Sequence, residues 1–197
     1  MKIAILGSGR GSNAKALLTA HSNGELPGVE IILLLSDQPD APFLKLGDEF
    51  GVPSRYISAG KYRTRLSDES EQEYVRQLND AGVELVVLAG FMRVLKSTFL
   101  NAWSNRMINL HPSLLPSFPG LASIRQAWDY GVKVTGCTVH WVTAELDAGP
   151  IIDQEVVRIE KEDTLETLEY KVHAAEHRLL PRVVKLLQDT FNEWYPR

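Results

Sequence analysis

The chain has 197 residues, a formal net charge of −4, 44% hydrophobic and 23% charged residues, and a single cysteine. That length and balance fit one soluble globular domain, or at most two small ones, and supply no global field for nucleic acid or a membrane surface. One cysteine, Cys137, excludes an intramolecular disulfide and a thiolate zinc cluster, and suits a reducing compartment.

No secretory leader is expected, because Lys2 is followed by only a short apolar run and then a glycine-rich turn. The longest uncharged apolar run, Leu85 to Met92, is far short of a membrane span. The expected compartment is the cytosol. Lys2 to Leu6 is continuous, apolar and β-branched, which predicts a strand buried on both faces. Gly7-Ser8-Gly9-Arg10-Gly11-Ser12-Asn13 follows, and Ala14 to Ala20 reads as a helix with Ser12 or Asn13 as its N-cap. Small residues before a helix start let backbone N–H groups meet a phosphate. A tight turn that binds nothing is the competing reading. The third glycine of a dinucleotide fingerprint is replaced by Ser12, and no lysine completes a P-loop, so a monophosphate is the better match.

Val29 to Leu35 predicts a second buried strand, ended by the turn Ser36 to Pro39. Pro42 to Phe50 predicts a helix closed by Gly51, and Val52 to Ile57 a third strand. Arg63 to Ala81 is highly charged, with apolar residues at helical spacing. Val83 to Ala89 is nearly all apolar and predicts a central strand. Ser97 to Trp103 predicts a short helix and Arg106 to Leu110 a fifth strand. Strands alternating with helices imply a parallel, doubly wound sheet whose ligands sit at the carboxyl ends of strands. Ile124 to Tyr130 predicts a helix. Val134 to Val142 and Pro150 to Arg158 predict two strands joined by the polar loop Thr143 to Gly149. A helix-free connection forces antiparallel pairing, so the sheet is mixed. Thr164 opens a helix to about Gln188, with a capping-box spacing to Thr167 that lacks the usual Glu and with Pro181 expected to kink or split it.

Asn109, His111 and Asp147 are the candidate reacting set. Asn109 and His111 stand two apart on a strand and so share a face. His exchanges a proton near neutral pH, Asn holds an oxyanion without ionising, and a carboxylate orients the His or a water. A structural His with a turn Asp is the competing reading. His140 points either to the core or to the site, and Cys137 reads as core. A metal set of His111, His140 and Asp147 lacks helical ligand spacing, and Ser113 lacks the surroundings of a nucleophile. Glu176-His177 reads as an exposed helix face, and Arg63, Arg65 and Arg93 as surface charge.

Gly7 to Asn13, Leu88-Ala89-Gly90-Phe91-Met92-Arg93, Asn109 to Pro116 and Glu145-Leu146-Asp147-Ala148-Gly149-Pro150-Ile151-Ile152 occur in that order. Together they resemble the phosphoribosylglycinamide formyltransferases, a folate-dependent branch of the formyltransferase superfamily, over nearly the whole chain. The resemblance implies a Rossmann-like α/β fold with a mixed, mainly parallel sheet, helices on both faces and a C-terminal helix. It implies one domain over residues 1–197, with 1–100 the phosphate-binding half and 101–197 the folate-binding and catalytic half. It further implies direct formyl transfer from 10-formyltetrahydrofolate to the glycinamide amine, in purine synthesis, with no metal. Asn109 and protonated His111 would hold the tetrahedral oxygen, and Asp147 would hold His111 and a water. Gly11, Ser12 and Asn13 would hold the phosphate and Glu176 the ribose. Met92, Arg93, Val94, Leu95, His140, Val142, Thr143 and Asp147 would line the folate pocket, and Arg63 or Arg65 would meet its glutamate tail. The implied partners are the two substrates, without nucleic acid or membrane, for a monomer or homodimer. The family commonly carries one or two histidines after Pro119-Gly120, where Leu121-Ala122-Ser123-Ile124 has none. This keeps in play an N-formyltransferase acting on another amine, such as an amino sugar nucleotide. A nucleotide-binding protein without chemistry would leave Asn109 and His111 unexplained.

Overall fold

Ile3 and Ile5 face one apolar layer and Ala4 and Leu6 the other, all fully buried, as expected for a central parallel strand. The computed structural model describes residues 1–194. Its elements are β1 (Lys2–Leu6), α1 (Ser12–Ser22), β2 (Glu30–Ser36), α2 (Pro42–Phe50), β3 (Ser54–Tyr56), α3 (Asp68–Asp80), β4 (Leu85–Leu88), α4 (Ser97–Ala102), β5 (Met107–His111), α5 (Ser123–Tyr130), β6 (Val134–Trp141), β7 (Ile151–Arg158), α6 (Leu165–Asp189) and α7 (Phe191–Trp194). The seven strands form one sheet in the order β3-β2-β1-β4-β5-β6-β7. Pairing is parallel from β3 to β5 and antiparallel from β5 through β7. The mixed, mainly parallel sheet is the one the alternation of elements predicts.

Helices cover both faces. Leu17, Phe43 and Leu179, from α1, α2 and α6, pack on one side; Tyr74 and Phe99, from α3 and α4, pack on the other. Parallel β1, β4 and β5 put the turn at Gly7, the turn at Gly90 and His111 on one sheet edge. Gly136 in β6 is required by closeness: a Cβ there would lie 1.9 Å from the Glu155 carbonyl oxygen. Gly136→Ala is expected to destabilise the fold by about 1–3 kcal/mol, read as a lowered urea midpoint. No helix among the described residues is long and apolar enough to cross a membrane.

Three local expectations are corrected, and the capping box at Thr164 is present. Neither Ser12 nor Asn13 caps α1; the cap is Gly11, at φ 80°, with no side-chain bond. The helical segment after Arg63 begins only at Asp68, capped by the Ser67 hydroxyl. The residues before it are held elsewhere: Arg65 bridges to Val94, and the Val94 N–H donates to the Thr64 carbonyl at 2.9 Å. α6 is not split at Pro181 into two helices but runs through it as one, with Leu179, Leu180, Val183 and Val184 all buried. Packing on that scale outweighs the one backbone bond proline removes. The Thr164 capping box is complete without Glu, because the Thr167 hydroxyl accepts from the Thr164 N–H at 2.9 Å.

Candidate active site

β5 carries Asn109 and His111, and antiparallel β6 sets His140 directly opposite Asn109. A register shift between Val139 and His140 marks a local irregularity beside the site. The His140 ring is 2% exposed, and its Nδ1 lies 2.9 Å from the Trp141 carbonyl. A carbonyl only accepts, so Nδ1 bears the proton and Nε2 offers a lone pair. Asn109 Nδ2, at 3.2 Å, therefore donates to His140 Nε2. That fixes the amide's orientation and leaves its second N–H uncommitted.

His111 is buried as well. Its Nε2 donates to the Phe118 carbonyl at 3.0 Å, and its Nδ1 lies 3.5 Å from Asp147 Oδ2. Nδ1 thus faces the carboxylate while Nε2 is committed to the backbone. Asp147 Oδ2 also accepts from the Gly120 N–H at 2.8 Å, and Oδ1 lies 3.8 Å from His140 Nε2. The Asp147 backbone is left-handed, at φ 51°. β6 runs antiparallel to β5, so the 143–149 loop starts beside Met107, where the Val142 N–H donates to the Met107 carbonyl at 2.9 Å. The loop then folds back over the sheet to set Asp147 against His111 and Gly120. Asn109, His111 and Asp147 are thus brought together, with His140 as a fourth member.

Burial holds the His140 pKa below its ordinary 6.5, so the folded state favours the neutral ring. Its stabilising contribution is full above pH 6.5 and is lost as pH falls through the depressed folded value. The urea midpoint is expected to fall from about pH 7.5 to about pH 5.5, and to fall less in His140→Gln. His173 has the opposite sign: its hydrogen bond to Glu176 raises the pKa, so its contribution is lost as pH rises.

These groups border a cavity of about 580 Å³. Met92, Arg93, Val94, Leu95, His140, Val142, Thr143 and Asp147 all line it. Leu146, in the motif around Asp147, and Leu121, which no motif signalled, form its exposed apolar mouth. Arg93 is not surface charge. Its Nε pairs with buried Asp37 at 2.6 Å, and its guanidinium reaches the Tyr62 and Arg63 carbonyls. Of residues 63–65 only Thr64 borders the cavity, and the Arg65 guanidinium lies 4.2 Å from the Tyr62 ring centre. Among the described residues no group of three His, Cys, Asp or Glu side chains is arranged to hold a metal.

The glycine turn ends at the N-terminus of α1, whose cap, Gly11, offers no side chain, which leaves first-turn N–H groups open to an anion. Asn13 Nδ2 donates to Glu176 Oε2 at 3.1 Å, and His173 Nδ1 meets the same oxygen at 2.8 Å. Glu176 is 3% exposed, which overturns its reading as an exposed helix face. Asn13 Oδ1 is buried without a partner. A larger groove, about 900 Å³, lies between α1 and α6, but its Arg178 and Arg182 are paired with Glu155 and Asp153.

The sequence matches the formyl transferase family profile over residues 1–184. It is 41% identical over 186 residues to phosphoribosylglycinamide formyltransferase of Bacillus subtilis, covering 94% of each chain. It is 39% identical to the human trifunctional purine biosynthetic protein adenosine-3, matching 94% of this chain but 18% of that protein. The crystal structure of phosphoribosylglycinamide formyltransferase from Bacillus halodurans superposes with a TM-score of 0.90 at 44% identity, covering 100% of both chains. The chain belongs to the formyl transferase family, within its phosphoribosylglycinamide formyltransferase branch.

Proposed function

We propose that the protein transfers the formyl group of 10-formyltetrahydrofolate to the amine of 5′-phosphoribosylglycinamide, in purine synthesis. The observation that carries this reading is one sheet edge. It joins an open helix N-terminus beside a buried carboxylate to an apolar cavity walled by Asn109, His111 and Asp147. The bound folate supplies the formyl carbon that the amine attacks. Asn109 donates its uncommitted N–H to the oxygen that becomes anionic. His111, with both ring nitrogens protonated, adds positive charge beside it. Asp147 holds His111 in place and relays, through water, the proton the amine loses to the folate nitrogen, which leaves with the electron pair of its bond to the formyl carbon and is released as tetrahydrofolate.

The first-turn N–H groups of α1, with Gly11, Ser12 and Asn13, hold the substrate phosphate. Glu176 has Oε2 committed to Asn13 and His173, which leaves Oε1 to accept from ribose hydroxyls. The apolar wall from Met92 to Leu95, with Val142 and Thr143, takes the flat folate ring. The chain works as one domain whose two halves meet along the β4–β5 pairing, in the core shared by α1 and α6, and in the Asn13–Glu176 bond. It acts in the cytoplasm, as a monomer or homodimer, without metal, nucleic acid or membrane.

The test is an assay of donor deformylation across a panel of amines. Turnover is expected with phosphoribosylglycinamide and not with amino sugar nucleotides. Equal turnover across the panel, or turnover with no amine, refutes the substrate assignment.

A further inference from the structure

Asp37, beyond the carboxyl end of β2, is 3% exposed and takes no part in the chemistry above. Its Oδ1 accepts from the Ser8 hydroxyl at 2.5 Å, and its Oδ2 from Arg93 Nε at 2.6 Å and Gln38 Nε2 at 2.8 Å. The Ser8 hydroxyl in turn accepts from the Met92 N–H at 2.9 Å. The Ser8 N–H donates to the Gly90 carbonyl at 3.0 Å. One hydroxyl therefore ties the glycine turn of the phosphate site to the first exposed residue of the cavity wall. A hydroxyl has one hydrogen, which Asp37 takes, so the lone pairs face Met92 by necessity.

The turn has little slack to absorb a displacement. A Cβ at Gly7 would meet the Phe43 ring at 2.6 Å and the Ala89 carbonyl at 3.2 Å, and the Phe43 N–H donates to the Gly9 carbonyl at 3.2 Å. The wall is held equally on its far side, by Arg93 on the Tyr62 and Arg63 carbonyls. A ligand that fixes Gly11 to Asn13 restrains Ser8, and through it the Met92 N–H. No long relay is involved, since the hydroxyl touches both segments.

We infer that Ser8, oriented by Asp37, is a positioning residue that couples the two ligand sites, so that each substrate tightens the binding of the other. This rests on the proposed function for the identity of the two ligands. Linkage requires the effect to be reciprocal.

The experiment is calorimetric titration with phosphoribosylglycinamide and with a folate analogue that carries no transferable formyl, each alone and with the other saturating. Wild type is expected to bind each ligand about fivefold tighter or more when the other is present. Ser8→Ala, which leaves the Asp37–Arg93 pair in place, is expected to cut that factor to less than about twofold while each single affinity stays within about threefold. Arg10→Ala, exposed in the same turn, keeps the wild-type factor. No coupling in wild type, an undiminished factor in Ser8→Ala, or equal loss in both variants overturns the inference. Failure of wild type to bind either ligand instead refutes the proposed function, and this inference with it.

Discussion

Asn109→Ala is expected to lower kcat by about 10²- to 10³-fold with little change in KM, the signature of a lost oxyanion donor. The reason lies in what the amide touches. His140 Nε2 takes one N–H at 3.2 Å because the His140 proton is committed to the Trp141 carbonyl. That contact is fixed before any substrate arrives, so the remaining N–H is oriented at no reorganisation cost during the reaction. Substrate binding relies on other groups, which is why KM holds. His140 is a positioning residue in this account, and burial keeps it neutral as that role requires. Steady-state kinetics on Asn109→Ala check the claim; activity within a few-fold of wild type would remove Asn109 from the mechanism.

Asp147→Asn is the second large effect, with kcat expected to fall by about 10²- to 10⁴-fold. Asparagine tolerates the left-handed backbone at φ 51° and keeps an acceptor for the Gly120 N–H. The substitution therefore removes the negative charge facing His111 while sparing the loop contact. If the carboxylate served only to pin the 143–149 loop, Asp147→Asn would work nearly as well as wild type and Asp147→Ala alone would fail. Comparable loss in both variants is the expected result. It would assign the effect to charge beside His111 Nδ1, 3.5 Å away.

Much of this site is legible in the residues because its core is local. Asn109 and His111 share a strand face by alternation alone, and the glycine turn stands between a buried strand and a helix. What is not legible is set by pairing across the chain. The helix after Arg63 starts late because Arg65 and Thr64 are held by Val94, some thirty residues away in sequence. Asp37 reads as an ordinary turn residue until folding delivers Ser8 and Arg93 to it. Glu176 reads as a solvated helix face because its partner Asn13 lies at the other end of the chain. The unbroken α6 is a case of tertiary packing overriding a local breaker.

Direct transfer between two bound substrates is open to isotope tracing. The protein is incubated with phosphoribosylglycinamide and a donor labelled with ¹³C in its formyl group, and the products are resolved by mass spectrometry. The label is expected in formylated phosphoribosylglycinamide, with none in free formate. Label recovered as formate, or retained in the donor while the amine is present, would contradict it.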